Sequence, residues 1–241
     1  MSKKLVIIPT FNEKENIEKI IRKVFSLNYG FDILIVDDNS PDGTGNIVKS
    51  LQNEFNNLFI EERAGKMGLG TAYIHGFKWG LQRDYDYFFE MDADFSHNPE
   101  DLIKLSEACE NNNNDLAIGS RYIGGVNVVN WPMKRVLMSY FASKYVKFIT
   151  GMPINDATAG FICYNKKLLS SLKLDNIKFK GYAFQIEMKY VSWRLGFKLI
   201  EVPIIFTDRR EGVSKMNIKI FREAFLGVIR MRIFNFSKKH K

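Results

Sequence analysis

Apolar positions in the first half of this chain alternate between two patterns. Short continuous runs at residues 5–8, 31–36, 58–60, 85–91 and 116–120 have the length of buried strands, and between them apolar residues return at helical spacing. Ile17, Ile20, Ile21, Val24 and Phe25 predict one helix, and Ile47, Val48 and Leu51 a second. A third runs from the glycine-punctuated Gly65-Lys66-Met67-Gly68-Leu69-Gly70 to about Leu81, and a fourth covers residues 99–110. Asn12 and Glu15 are spaced as a capping box ahead of the first helix. Repeated β-α units with fully apolar strands predict an α/β fold, a mostly parallel sheet with helices on both faces. The second half is less regular: a helix over 131–149, a strand over 159–164, a helix over 181–195 and a strand over 197–206. No Pro/Gly/Ser-rich linker interrupts the pattern, so residues 1–214 read as one domain, followed by a segment 215–241 of different character.

An open α/β sheet binds ligands beyond the carboxyl ends of its strands, which directs attention to three loops. Pro9-Thr10-Phe11-Asn12-Glu13 ends the first strand and Val36-Asp37-Asp38-Asn39-Ser40-Pro41-Asp42-Gly43-Thr44 the second, so adjacent strands bring Glu13 and Asp38 to one nucleoside-sized place. Asp92-Ala93-Asp94 follows the apolar run 85–91. Two carboxylates at i and i+2 lie on one side of an extended chain, and two hard oxygen ligands suit Mg²⁺ or Mn²⁺ with phosphates completing the shell. Each loop alone is more often a turn or helix cap; their recurrence at successive strand ends favours a nucleotide diphosphate site. The glycine loop is neither a Rossmann fingerprint nor a P-loop, and serves as a tight turn.

Charge narrows the partners. Of the formal +8, residues 215–241 hold +7, with Lys215, Lys219, Arg222, Arg230, Arg232, Lys238, Lys239 and Lys241 against Glu223 alone. A nucleic-acid enzyme spreads basic residues over a face with interleaved aromatics, so no nucleic-acid partner is expected. Cys109 and Cys163 form no pattern with each other or with His, which argues against a disulfide framework or structural zinc and for a reducing, cytosolic setting. The first residues run straight into the first strand, and no stretch approaches the roughly 20 apolar residues of a membrane span, so neither a signal peptide nor a transmembrane helix is expected.

Over nearly its whole length the chain resembles the family 2 glycosyltransferases. The resemblance is carried by Ile8 to Glu13, Val36 to Thr44, Gly68-Leu69-Gly70-Thr71-Ala72-Tyr73, Asp92-Ala93-Asp94, Gly119-Ser120-Arg121-Tyr122 and Gly181-Tyr182-Ala183-Phe184-Gln185-Ile186-Glu187-Met188. Narrower phrases, Asn130-Trp131-Pro132, Asp156-Ala157-Thr158-Ala159-Gly160-Phe161 and the spacing Phe206, Arg209, Gly212, Ser214, Lys215, are similar to the polyprenol (dolichol) monophosphate mannose synthases within that family. The resemblance implies a GT-A-like fold in which residues 1–214 are the catalytic domain. It also implies transfer of mannose from GDP-mannose to a polyprenyl phosphate with inversion, supported by Mg²⁺ or Mn²⁺. By the same resemblance Pro9, Phe11, Glu13, Val36 and Asp38 face the guanine nucleoside, and Asp92 and Asp94 hold the metal. Ala93 contributes backbone, and Ser96 touches the donor or the metal shell. Arg121, Arg135, Ser139, Arg209 and Lys215 face the diphosphate and the acceptor phosphate. Phe11 stands where relatives often have Tyr, which keeps a stacking face and loses a hydroxyl; His97 is read as structural. A transferase using glucose or N-acetylglucosamine, on a lipid phosphate or a polysaccharide, is the alternative.

A lipid acceptor requires contact with a membrane, and two segments have the character for it. Residues 131–149 interleave Val136, Leu137, Tyr140, Phe141 and Phe148 with Lys134, Arg135, Lys144 and Lys147, and residues 218–236 mix apolar and basic side chains. Such segments lie in the interface of an anionic membrane surface, which predicts a peripheral enzyme on the cytosolic face and leaves a membrane-protein partner open.

Overall fold

The computed structural model describes residues 2–111, 113–208 and 218–233. Strand and helix alternate through its first half: β1 (Lys4–Thr10), α1 (Ile17–Phe25), β2 (Phe31–Asp37), α2 (Thr44–Leu51), β3 (Leu58–Glu62), α3 (Leu69–Leu81), β4 (Tyr87–Glu90), α4 (Asp101–Glu110) and β5 (Leu116–Ser120). The second half adds β6 (Val128–Val129), α5 (Met133–Thr150), β7 (Ile162–Asn165), α6 (Lys166–Ser171), α7 (Tyr182–Arg194), β8 (Leu199–Pro203), β9 (Phe206–Thr207) and α8 (Ile218–Ile233). Seven strands form one sheet in the order β3-β2-β1-β4-β7-β5-β8, parallel throughout except for β7, which pairs antiparallel with both neighbours. β6 and β9 pair apart from it as a short parallel ribbon.

The period of two along each strand divides the core between the faces of the sheet. Leu5, Ile7, Leu34 and Val36 point to the side covered by α3, α5, α7 and α8, while Val6, Ile8, Ile33 and Ile35 point to the side of α1, α2 and α4. The loop before α3 is held close by its glycines. Gly68 has φ of +105°, a conformation an L side chain resists, and a Cβ at Gly70 would stand 2.6 Å from the Phe184 ring, so α3 seats directly on α7.

Four sequence expectations need correction. Asn12 does not cap α1: it has φ of +58° and its N–H goes to Ser40 Oγ, while a turn over residues 13–16 delays the helix until the Asn16 N-cap, which makes no side-chain cap bond. The run 85–91 gives a strand only from Tyr87 to Glu90, so Asp92 and Asp94 lie on a bend beyond the strand, with Phe95 at φ of +58°. The i, i+2 argument therefore does not fix their relative direction, because it holds only for extended chain. The run 197–206 is two strands: after Pro203 the chain leaves the main sheet, and β9 pairs with β6. α6, absent from the periodicity because it is so short, is capped by the Asn165 side chain, which accepts from the Leu168 N–H.

α8 is no loose appendage where it is described. It packs on α5 and α7, places Val228 and Met231 in the core, and its Phe225 ring stacks 4.6 Å from that of Tyr145, whose hydroxyl donates to the Phe225 carbonyl.

Candidate active site

The loops after β1 and β2 are stitched together. Asp37 accepts from Thr10 Oγ1 (2.7 Å), Ser40 Oγ (2.6 Å) and the Ser40 N–H (2.8 Å). Ser40 Oγ and Thr44 Oγ1 accept the N–H groups of Asn12 and Glu13, and Asp42 accepts that of Lys14. Asp37 and Asp42 thus hold the loops in shape, and Glu13 and Asp38 ride on a preformed frame. Asp38 is buried against Arg63, whose Nε donates to it at 2.6 Å while Nη1 reaches Thr71 Oγ1 at 2.8 Å. Phe11 keeps an aromatic face, with the Lys66 ammonium 4.8 Å from its centroid. Pro9 is half-buried at the mouth of this region. The Val36 side chain, by contrast, lies wholly inside the core, because its position in β2 points toward α3; it shapes the strand end from below and presents no side chain to a nucleoside.

On the bend after β4, Asp94 Oδ1 accepts both the N–H and the hydroxyl of Ser96. Ser96 thereby orients Asp94, and Ala93 packs into the core. His97 is buried, stacked 4.7 Å from Phe161, and takes the Asp92 N–H on Nδ1 at 3.4 Å. Burial lowers its pKa to about 4, so the ring is neutral at pH 7 and its role is to hold the bend. Tyr73 reaches Asp92 from α3 at 3.5 Å. Among the described residues no group of three or more His, Cys, Asp or Glu stands ready for a metal. Two carboxylates from one bend fit a hard divalent ion whose remaining ligands are oxygens of a bound diphosphate.

The basic side chains divide into two kinds. Arg121 forks onto Asp156 at 2.7 Å through Nε and Nη2, with a further bond to Thr158 Oγ1 at 2.8 Å. Burial by itself would raise the Asp156 carboxyl; the adjacent guanidinium outweighs it and holds the group below the usual range. Arg121 thus meets the cleft with its charge already matched, which makes it a brace as much as a phosphate ligand. Arg135 and Ser139, one helical turn apart on α5, face the same cleft. Arg135 is half-exposed, lies 4.1 Å over the Trp131 ring, and shares its charge with Asp208 at 2.7 Å. Arg209 and Lys215 lie outside the described residues.

Asp92, Ser96, Arg121, Arg135 and Ser139 border one cavity of about 440 Å³, whereas Pro9, Phe11, Glu13, Asp38 and Asp94 are not among its lining residues. Asp92, Ser96, His97, Arg121 and Arg135 are among its polar lining, and Met138, Phe141, Tyr145, Ile186, Phe225 and Val228, from α5, α7 and α8, among its apolar lining. A cleft with a carboxylate, two guanidinium groups and apolar side chains on its walls suits a ligand that is itself part phosphate and part hydrocarbon.

The profile of "Glycosyl transferase family 2" matches residues 5–173. The chain belongs to this family. It is 45% identical over 225 residues to the polyprenol monophosphomannose synthase of Mycolicibacterium smegmatis, covering 93% of this chain and 84% of that protein. It is 43% identical over 226 residues to the undecaprenyl-phosphate mannosyltransferase of Micrococcus luteus, covering 94% and 92%. Among solved structures, glucosyl-3-phosphoglycerate synthase from Mycobacterium tuberculosis, in complex with Mn²⁺, UDP and glucosyl-3-phosphoglycerate, superposes with a TM-score of 0.68 at 16% identity, over 96% of this chain and 80% of that one. A mannosyltransferase from Pyrobaculum calidifontis in complex with GDP-Man and Mn²⁺ gives 0.57 at 14% identity, over 99% and 72%. At such identities these two establish the fold, the GT-A-like one expected.

In this family 2 glycosyltransferase several residues of the site had escaped the sequence reading. Arg63 stands directly after β3 and was within reach of the strand-end rule. Glu90, Gln185 and Lys189 were not: each is a polar group in an apolar run or helix, and only the fold joins them. Glu90 is fully buried, accepts from Tyr164 Oη at 3.2 Å and from Gln185 Nε2, and is pushed up to about 8 by burial. Lys189, lowered to about 8 by burial, donates to the carbonyls of Ala157, Ala159 and Gln185, and so fixes the segment that carries Asp156 and Thr158.

Proposed function

We propose that this enzyme transfers mannose from GDP-mannose to a polyprenyl phosphate with inversion of the anomeric centre, working from the cytosolic face of a membrane as a peripheral protein. The observation that carries this reading is a single cavity lined by Asp92, Arg121 and Arg135 together with apolar side chains of α5, α7 and α8. The names of the curated relatives support the sugar and the acceptor class, and the GDP-Man and Mn²⁺ bound by one structural neighbour support donor and metal.

In this reading Glu13 and Asp38, on their hydrogen-bonded loops, meet the guanosine, with Phe11 as a stacking face. Asp92 and Asp94 hold Mg²⁺ or Mn²⁺, which supplies positive charge against the departing diphosphate. An oxygen of the acceptor phosphate attacks the anomeric carbon as the bond to the GDP oxygen breaks, so no proton must be removed; a phosphate monoester is already ionised at pH 7. The electrostatic difficulty is that two anions approach one another. Arg135, together with Arg209 and Lys215, offsets that repulsion at the acceptor, and Ser139 donates to the same phosphate. Arg121, matched by Asp156, keeps the cleft wall in register.

The membrane contact follows from the same surface. Met133, Leu137, Phe141 and Phe148 on α5 and Phe225, Leu226 and Ile233 on α8 are exposed, with Lys134, Lys144, Arg230 and Arg232 beside them. Exposed apolar area bordered by cations suits an anionic lipid interface. Among the described residues no helix is long and apolar enough to cross a membrane. Residues 1–214 would be the catalytic domain and 215–241 the basic segment that adds to this contact.

The test is incubation of purified protein with GDP-mannose and a short polyprenyl phosphate, with Mg²⁺, with Mn²⁺ and with a chelator, against GDP-glucose, UDP-glucose and UDP-N-acetylglucosamine. Transfer from GDP-mannose alone, stopped by the chelator and giving the inverted anomer by NMR, is the expected result. Preferential use of a UDP sugar would replace the donor reading.

A further inference from the structure

One polar side chain on the cleft wall is left over by this mechanism. Gln185, on α7, is 2% exposed and lines the cavity that also receives Asp92 and Ser96. Its Nε2 is committed to the Glu90 carboxyl, which is anchored in turn by the Tyr164 hydroxyl. Its main-chain carbonyl accepts from Lys189, whose ammonium also grips Ala157 and Ala159. The carboxamide is therefore locked, and Oε1 has no hydrogen-bond partner among the described residues. A buried amide oxygen without a donor is rare in folded proteins and asks for an explanation.

The surroundings of this oxygen point to a ligand. Gly160 lies on the same cavity, and a Cβ there would come to 3.6 Å from Gln185 Nε2, so the glycine leaves room for one methyl group beside the carboxamide. Trp131, on the same cavity, has an indole N–H that is likewise buried and unpartnered among the described residues. An orphan acceptor and an orphan donor on one cleft match a group that both donates and accepts, and hydroxyls do this. A simple ion would satisfy only one of the two atoms, and a purely apolar ligand neither.

We infer that Gln185 reads a hydroxyl of the transferred sugar, accepting its hydrogen bond on Oε1 and thereby positioning the hexose beside Asp92. The inference rests on the nucleotide-sugar reading above. Sugar recognition is thus assigned to the start of α7, apart from the loops that meet the nucleoside. Because Glu90 holds the carboxamide through Nε2, and Lys189 holds the main chain of the same residue, the acceptor is oriented before the donor arrives.

The experiment compares GDP-mannose with its 2-, 3-, 4- and 6-deoxy analogues in the wild type, in Gln185→Met and in Gly160→Ala. In the wild type at least one analogue is expected to lose about tenfold in kcat/KM. Gln185→Met should lose about tenfold on GDP-mannose, treat that one analogue and GDP-mannose alike, and bind GDP, which lacks the sugar, within twofold of wild type. Gly160→Ala, which adds one methyl group, should narrow the same discrimination and provides the answer if Gln185→Met does not fold. A wild type indifferent to every deoxy analogue overturns the inference, as do variants that retain the full wild-type discrimination. If GDP-mannose is not a substrate but a UDP sugar is, the donor reading fails by itself, and the deoxy series of that sugar decides the role of Gln185.

Discussion

Between β1 and β2, loop ends from separate parts of the chain are joined by hydrogen bonds of 2.6–3.0 Å. Across the cleft, α5 and α8 meet through aromatic and aliphatic contacts and leave Phe148 85% and Phe141 62% exposed. The loops after β1 and β2 are a frame complete in the isolated protein; the face of α5 and α8 is a surface whose apolar area has no protein cover among the described residues. Such a division suits one soluble substrate and one held in a bilayer. A charged nucleotide needs preset donors and acceptors, whereas a flexible hydrocarbon chain needs only a dry channel that it can reach from the lipid.

The strongest way to break this contrast is at the carboxylates. Asp92→Ala or Asp94→Ala should lower turnover by about a hundredfold or more with little change in melting temperature, since each removes one of the two carboxylates proposed to hold the metal from a bend that the Asp92 N–H bond to His97 still holds. Retention of more than about a tenth of the activity at saturating metal would remove these residues from the chemistry. The next effect is on stability. Asp156→Asn strips a buried guanidinium of its counter-charge and should cost about 3 kcal/mol in urea unfolding. A loss near zero would mean that Arg121 is free to turn to a ligand.

Glu187, buried on α7 and accepting the N–H groups of Lys178 and Phe179, tests the packing behind the cleft by pH. Burial raises it to about 7, so in the folded protein it keeps a proton that the unfolded chain releases near 4.5. The stabilisation is complete below pH 4.5 and is lost as pH rises through 7, amounting to up to about 3 kcal/mol. Glu187→Gln should gain stability relative to wild type between pH 5 and pH 8 in urea titrations. A pH-independent difference would show that the carboxyl is ionised throughout.

Arg135→Ala should slow transfer at limiting polyprenyl phosphate by about ten- to a hundredfold, as for a charged hydrogen bond of about 1.5–3 kcal/mol, and leave GDP-mannose affinity within twofold. Equal losses on both substrates would move Arg135 to the donor side. The smallest effect sharpens the membrane half of the comparison: Phe148→Asp should weaken sedimentation with anionic liposomes by about tenfold and spare transfer to a short water-soluble acceptor. Truncation of α8 is a poorer probe, because Val228 and Met231 belong to the core and their removal would expose it. Unchanged partitioning of Phe148→Asp would place the lipid contact elsewhere.

The amino-acid sequence by itself determined the β-α alternation, the parallel arrangement and the strand ends that carry Glu13, Asp38, Asp92 and Asp94. Those features follow from local periodicity: a strand buried on both faces must be apolar, and its first polar residues mark where it leaves the core. Only the tertiary structure decided which charges are spent within the protein. Arg63 meets Asp38 across 25 residues, Arg121 meets Asp156 across 35, and Gln185 meets Glu90 across 95. No local pattern encodes such pairs, because burial and a partner's position set their energy. The same holds for the end of β4: the apolar run continues past Glu90, but β1 offers no further register partner in that pairing beyond Ile7, and the chain bends there and brings Asp92 to the cleft.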